Sequence, residues 1–324
     1  MKGLILCAGN GTRLQPFSNT TSKVLLPVAN KPLLFYNIEK LLDLGIKEIG
    51  IVIQAAHDPL FRESVGNGEQ WGASITYLYQ ARALGIADAV KQAEAFIGSD
   101  SFILLLGDNL IGQTLEGLRD SILLERQDGA LLLGEVEKPQ DYGVAEIKEH
   151  RIIGLEEKPA QPKSNLAIMG AYAFTSKIFE AVHAISPSKR GEYEITDAIQ
   201  WLIEAKYAIS YDITYQPHTD VGTIERWLEA NRWMLQQLAD EGTLAMETTS
   251  STNKFSSSVM VGNTSQLVTC EIGPYTTIGP RVNLEDCRIE DSIILEGVSL
   301  KNMSLKGAIV SRDYMVQPAR EANL

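Results

Sequence analysis

Along the first two-thirds of the chain, short apolar runs alternate with segments of helical period. Continuous apolar stretches predict strands over 3–8, 48–54, 75–80 and 102–107. Between them, Leu34, Ile38, Leu41 and Leu42 recur at helical spacing and predict a helix over 32–44. Pro32 stands near its opening and Gly45 beyond its end, the asymmetry expected of helix termini. A second helix is predicted over 87–96. Strand followed by helix followed by strand requires crossover connections, so the expected fold is α/β with a doubly wound, mostly parallel sheet. Further strands are predicted over 129–136, 166–174 and 208–215, with a hairpin of 143–147 and 151–155 turning near His150. A helix over 223–238 carries Trp227, Leu228, Trp233 and Leu235 on its apolar face.

After that helix the pattern changes. Residues 248–258 are poor in apolar side chains and read as a linker. Beyond it, Ile272, Ile278 and Leu284 recur every six positions, and Gly273 and Gly279 follow the first two. This is the period of a hexapeptide β-helix, in which each short strand turns one aliphatic residue inward and three strands close a coil. The stretch 259–314 is long enough for about three coils. Two domains are therefore expected: 1–247, and a linker with the β-helix over 248–324.

Composition narrows the function classes. The chain has 324 residues, 44% hydrophobic and 22% charged, which fits a soluble globular protein. The opening apolar run is short and reads as a strand rather than a signal peptide, and no run reaches the roughly 18 apolar residues a membrane helix needs. With 41 acidic against 29 basic residues, the net charge of -12 disfavours a nucleic-acid or anionic-membrane surface. Small anions can still bind locally, through backbone amides and a few placed cations. Cys7, Cys270 and Cys287 are far apart without a CxxC spacing, so neither zinc nor a disulfide framework is expected, and a reducing cytoplasm fits.

The strongest candidate chemistry follows the first strand, in Ala8-Gly9-Asn10-Gly11-Thr12-Arg13-Leu14. Two glycines allow close backbone approach and can aim N–H groups at an anion. The loop is neither standard phosphate motif: Leu14 replaces the third glycine of a dinucleotide fingerprint, and no Gly-Lys-Ser/Thr follows. Arg13 and Lys23 instead supply two cations suited to a triphosphate; an ordinary glycine turn is the plainer alternative. Asp108 lies at the end of the run 102–107, where open α/β sheets bind ligands, and either holds a cation or caps a turn. Asp220 precedes a predicted helix and is either a second cation ligand or a cap. Pro159 biases Lys158 toward an extended backbone; Glu157 and Lys158 could meet sugar hydroxyls and phosphate. Arg190, ahead of a predicted helix start at Thr196 and Asp197, reads as free to reach a phosphate.

Taken in order, Gly9-Asn10-Gly11-Thr12-Arg13-Leu14, Lys23 with Leu26-Pro27-Val28, Lys31-Pro32, Gly107-Asp108-Asn109, Tyr142-Gly143-Val144, Glu156-Glu157-Lys158-Pro159 and 191–197 resemble the sugar-1-phosphate nucleotidyltransferases. The likeness is strongest to the glucose-1-phosphate thymidylyltransferases, in a longer form that appends a left-handed β-helix to a Rossmann-like core. The resemblance implies that glucose-1-phosphate condenses with dTTP to give dTDP-glucose and pyrophosphate, with Mg²⁺. UTP, or an N-acetylhexosamine-1-phosphate, is the alternative within the class. It further implies that Arg13 and Lys23 are catalytic, and that Leu6, Ala8, Gly9, Gly11, Thr12, Gln80 and Gly85 bind nucleotide. Asn109, Tyr142, Gly143, Glu157, Lys158, Ile168 and Arg190 would bind the sugar phosphate, and Asp108 and Asp220 the metal. His218-Thr219 and Val221 depart from the family's residues around the second aspartate, which bears on sugar preference. An acyltransferase β-helix usually needs a histidine base, and no histidine follows His218. The extension is instead expected to mediate self-association or packing.

Overall fold

The computed structural model describes residues 1–244 and 252–318. They form two compact units, Met1–Asn10 with Leu34–His218, and Gly11–Leu33 with Thr219–Leu324. Part of the expected linker, 248–251, lies outside the described residues.

The first unit is built on a nine-stranded sheet. Its strands are β1 (Lys2–Leu6), β2 (Glu48–Ile53), β3 (Ser74–Tyr79), β4 (Phe102–Leu106), β5 (Gly129–Glu135), β6 (Gly143–Lys148), β7 (Arg151–Glu157), β8 (Leu166–Phe174) and β9 (Ile209–Thr214). The path runs β7-β6-β8-β4-β1-β2-β3, and β5 pairs with both β8 and β9. Strands β4, β1, β2 and β3 run parallel, as does the β5/β9 pair, because each is reached by a crossover. By contrast, β8 is antiparallel to β4, β5 and β6, and the β6/β7 hairpin is antiparallel. The central strands are apolar on both faces, with Leu4, Ile5, Leu104 and Leu105 fully buried. That is the pattern of a sheet covered on both sides.

One local departure from the sequence expectation has a visible cause. The helix predicted over 87–96 is two short ones, Ile86–Lys91 and Glu94–Ile97. Here the Ala93 amide bonds the Val90 carbonyl, which tightens the turn and interrupts the ladder. Strand β8 carries a register shift between Ile168 and Tyr172, where Gly170 takes φ +74°.

The second unit contains the helix Ile224–Asp240 and a β-helix of three sheets, parallel except where Ile309–Val310 pairs antiparallel with Met315–Val316. Residues Ile272, Ile278 and Leu284 all point inward, as the hexad pattern requires. The repeat then shortens to Ile289 and Ile294, also buried. Register explains the change: Glu271 pairs with Arg288, seventeen positions on, but Arg288 pairs with Ser304, only sixteen on. Corners built on left-handed residues such as Tyr275, Arg281, Asp286 and Asp291 absorb the difference. The first coil begins at Lys254–Phe255, which pairs with Glu271–Ile272, so the end of the expected linker belongs to the β-helix.

Candidate functional site

Sheet topology brings the ends of β1 and β4 side by side, because the two strands pair in register from Lys2↔Phe102 to Leu6↔Leu106. Ala8 and Gly9 therefore emerge at the same sheet edge as Gly107 and Asp108. Gln54, just past β2, donates to the Ala8 carbonyl at 2.6 Å and to the Asn10 side chain at 2.7 Å, tying down the start of the glycine loop.

The turn bearing Asp108 is held from below. Asn37, a buried residue of the helix Leu33–Asp43, donates to the Gly107 carbonyl at 3.2 Å and to the Asn109 carbonyl at 3.1 Å. Asn109 in turn donates to the Met169 carbonyl at 3.1 Å, which the β8 bulge turns toward it. A Cβ at Gly170 would lie 2.2 Å from the Asn109 amide nitrogen, so this approach needs glycine. Sequence reading missed Asn37; a polar residue on the core side of an amphipathic helix was the available signal.

Gly143, Glu157 and Ile168, expected together from the resemblance, do converge. A Cβ at Gly143 would sit 2.6 Å from Thr196 Cγ2, 3.1 Å from Glu157 Oε2 and 3.4 Å from Ile168 Cδ1. Thr196 donates its hydroxyl to Glu157 Oε2 at 3.2 Å. Two expectations are corrected here. Arg190 is not free: its guanidinium donates to Glu157 at 3.3 Å and Glu192 at 3.3 Å, and lies 3.5 Å from Glu194. Three carboxylates thus surround this exposed arginine within 3.5 Å. Lys158 is not extended before Pro159 but left-handed, with φ 44°. Its amide donates to the Tyr142 carbonyl at 2.9 Å at the end of the β6/β7 hairpin, and that tertiary bond overrides the local preference. Burial pushes the Glu194 carboxyl above the ordinary carboxylate value, while the Ser188 hydroxyl, at 2.8 Å, pulls it back.

Gln80 is buried, and its amide nitrogen donates to Asp88 at 2.7 Å and to the Gly85 carbonyl at 3.1 Å. Both donor bonds leave the amide oxygen as the group it can offer a ligand. Gly85 has φ +108°, and a Cβ there would meet the Tyr193 carbonyl oxygen at 2.5 Å. The Gln80–Gly85 stretch thus packs on the segment that follows Arg190.

In the second unit, Gly11 is left-handed, and Arg13 lies in the short 3-10 turn Thr12–Leu14. A Cβ on Gly11 would be 3.2 Å from Lys23 Cβ, so the glycine loop and Lys23 are close neighbours. Asp220 is not the helix cap: Thr223 holds that place, its hydroxyl accepting from the Arg226 amide at 3.3 Å. Asp220 instead pairs with the Arg226 guanidinium, and Gly222 lies between Asp220 and Arg13, whose Oδ2 and Nη2 atoms would be 2.6 and 2.9 Å from a Cβ there. Among the described residues no group of three or more His, Cys, Asp or Glu could hold a metal. Single carboxylates such as Asp108 and Asp220 supply the hard oxygen donors that Mg²⁺ takes alongside phosphate oxygens and water, so the donor chemistry fits. No helix among the described residues is long and apolar enough to cross a membrane.

Comparison with known proteins shows the family. The family model described as nucleotidyl transferase matches residues 2–237. The glucose-1-phosphate thymidylyltransferase of Streptomyces griseus is 36% identical over 99% of this chain and 95% of its own length. That of Streptomyces antibioticus is 37% identical over the same shares. A crystal structure of a Bacillus anthracis protein described as a glucose-1-phosphate thymidylyltransferase, in complex with sucrose, superposes with a TM-score of 0.68 at 36% identity. It covers 72% of this chain and 94% of that one.

Proposed function

This chain belongs to the nucleotidyl transferase family, and from that premise we propose that it condenses glucose-1-phosphate with dTTP, releasing dTDP-glucose and pyrophosphate. A sugar-1-phosphate and a nucleoside triphosphate as substrates, and dependence on a divalent metal, follow from the family; dTTP and Mg²⁺ are our finer reading. The observation that carries the reading is the likeness over nearly the whole chain to two thymidylyltransferases, β-helix included. We place the activity in a nucleotidyltransferase domain over 1–247, followed by the linker and β-helix of 248–324, in the cytoplasm.

In this reaction a phosphate oxygen of the sugar-1-phosphate attacks the α-phosphorus in line. A new P–O bond forms there, the bond to the β-phosphate breaks, and pyrophosphate leaves with the electron pair. No protein nucleophile takes part, so the residues act by positioning and by neutralising charge. Arg13 and Lys23, neighbours of the left-handed Gly11, hold the triphosphate and the departing pyrophosphate. Leu6, Ala8, Gly9, Gly11 and Thr12 give the nucleotide a backbone-lined seat. Gln80, its amide nitrogen occupied by Asp88 and Gly85, offers its oxygen to an imide N–H, which thymine and uracil carry and cytosine lacks. Supporting the sugar side is the convergence of Gly143, Glu157 and Ile168 described above; Asn109, Tyr142, Lys158 and Arg190 complete that assignment. Asp108 and Asp220 are the metal ligands in this reading, and a bound Mg²⁺ would offset phosphate charge.

The test is pyrophosphate release by the purified full-length chain with dTTP, UTP and other triphosphates against glucose-1-phosphate and N-acetylglucosamine-1-phosphate. Each pair is run with Mg²⁺ and with EDTA. The expected outcome is fastest turnover with dTTP and glucose-1-phosphate, abolished by EDTA. Background rates on that pair would sink the reading.

A further inference from the structure

The hairpin of Pro27–Val28 and Lys31–Pro32 closes through Ala29 and Asn30, both left-handed, with φ 47° and 59°. Consecutive left-handed residues form the turn that suits a two-residue hairpin, but alanine adopts that backbone at a cost. Such a conformation persists where the surroundings over-determine it. Here the surroundings are the helix Ile224–Asp240 and the β-helix. Asn231, only 1% exposed, accepts from the Ala29 amide at 2.9 Å and from the Thr277 hydroxyl at 2.8 Å. Its amide nitrogen donates to the Tyr275 carbonyl at 3.4 Å. Asn30 reaches the same coil directly, donating to the Ile278 carbonyl at 2.8 Å. One helical turn earlier, Trp227 donates to the Pro27 carbonyl at 2.7 Å and meets Phe17 edge to face at 5.5 Å.

The contacts of Asn231 with Ala29, of Asn30 with Ile278, and of Trp227 with Pro27 and Phe17 all fall on the Gly11–Leu33 segment, and that segment carries Arg13 and Lys23. Buried amides bonded on both oxygen and nitrogen have little freedom, so the anchor is stiff. We propose that Asn231 is a positioning residue: with Asn30 and Thr277 it uses the second coil of the β-helix to hold the segment bearing Arg13 and Lys23 in its working shape. The C-terminal extension then serves the transfer reaction itself, without donating a group to it. The inference rests on the roles of Arg13 and Lys23 proposed above.

The experiment uses the full-length chain carrying Asn231→Ala, Asn30→Gly, Thr277→Val or Thr277→Ser. Glycine at position 30 removes the side-chain bond while keeping the left-handed turn, so it tests the contact even where Asn231→Ala fails to fold. Losing one such bond is worth a factor of about 5–10. Expected for Asn30→Gly and Thr277→Val is a fall in kcat of about that size, with KM for the sugar phosphate unchanged. Thr277→Ser restores the rate. Hydrogen exchange should quicken at 11–33 by a similar factor and stay unchanged over 102–111. Faster exchange with wild-type kcat would overturn the positioning role, as would wild-type values of both. If the unmutated chain shows no nucleotidyl transfer, the preceding reading fails by itself, and the exchange measurement still decides whether the anchor exists.

Discussion

Asn37 grips the main chain on both sides of Asp108, through the carbonyls of Gly107 and Asn109. A helix side chain thereby sets where a loop carboxylate stands. Replacing Asn37 with leucine keeps the branched outline and heavy-atom count but strips both carbonyls of a partner. The expected cost is about 1–3 kcal/mol of stability, read by denaturant unfolding, together with a fall in kcat. Asn37→Asp should be worse, because a carboxylate would face two carbonyl oxygens. Unchanged activity in both variants would mean that the turn holds itself.

Gly143 offers a sharper test of the sugar side. Alanine there places a methyl carbon 2.6 Å from Thr196 and 3.1 Å from Glu157, which forces one of them to shift. The expected result is a KM for glucose-1-phosphate raised by about tenfold, the equivalent of roughly 1.4 kcal/mol, with KM for dTTP unchanged. An equal rise in both constants would point to a general disturbance of the β6/β7 hairpin.

Arg226 competes with any cation for the Asp220 carboxylate, since its guanidinium already bonds Oδ1. Arg226→Gln removes a positive charge beside a proposed metal ligand. The Mg²⁺ concentration for half-maximal rate should therefore fall severalfold, measured by titrating Mg²⁺ into EDTA-treated enzyme. A rise would place the metal elsewhere.

Burial raises the pKa of Asp212 on β9 above the ordinary value, and Glu125 adds to the shift. Between pH 3.8 and that raised value the folded state thus holds this proton more often than the unfolded state does. Stability from this group is whole below pH 3.8 and is lost as pH rises through the raised native pKa. Asp212→Asn should be more stable than the parent at pH 7 by about 1 kcal/mol or less. The gap should shrink as pH falls toward 4. Thermal melts across that range would show it; a gap independent of pH would rule the linkage out.

Much of the organisation was legible in the chain alone. Apolar runs placed β1, β2, β4 and β8 within a residue or two, because a buried strand needs an uninterrupted apolar face whatever surrounds it. The hexad of Ile272, Ile278 and Leu284 announced the coils for the same reason. The resemblance to the sugar-1-phosphate nucleotidyltransferases grouped Gly143, Glu157 and Ile168, and the fold does bring the three together. Tertiary structure decided the rest, through contacts that have no sequence period. The antiparallel entry of β8, the left-handed turn at Lys158 and the three carboxylates holding Arg190 each depend on residues brought together by folding. So does Asn231, an unremarkable polar residue within a helical pattern. Its role exists only because Ala29 and Thr277, distant in the chain, both reach its side-chain oxygen. Local patterns record what a residue prefers to be near; hydrogen bonds between distant segments record which neighbour the finished fold supplied.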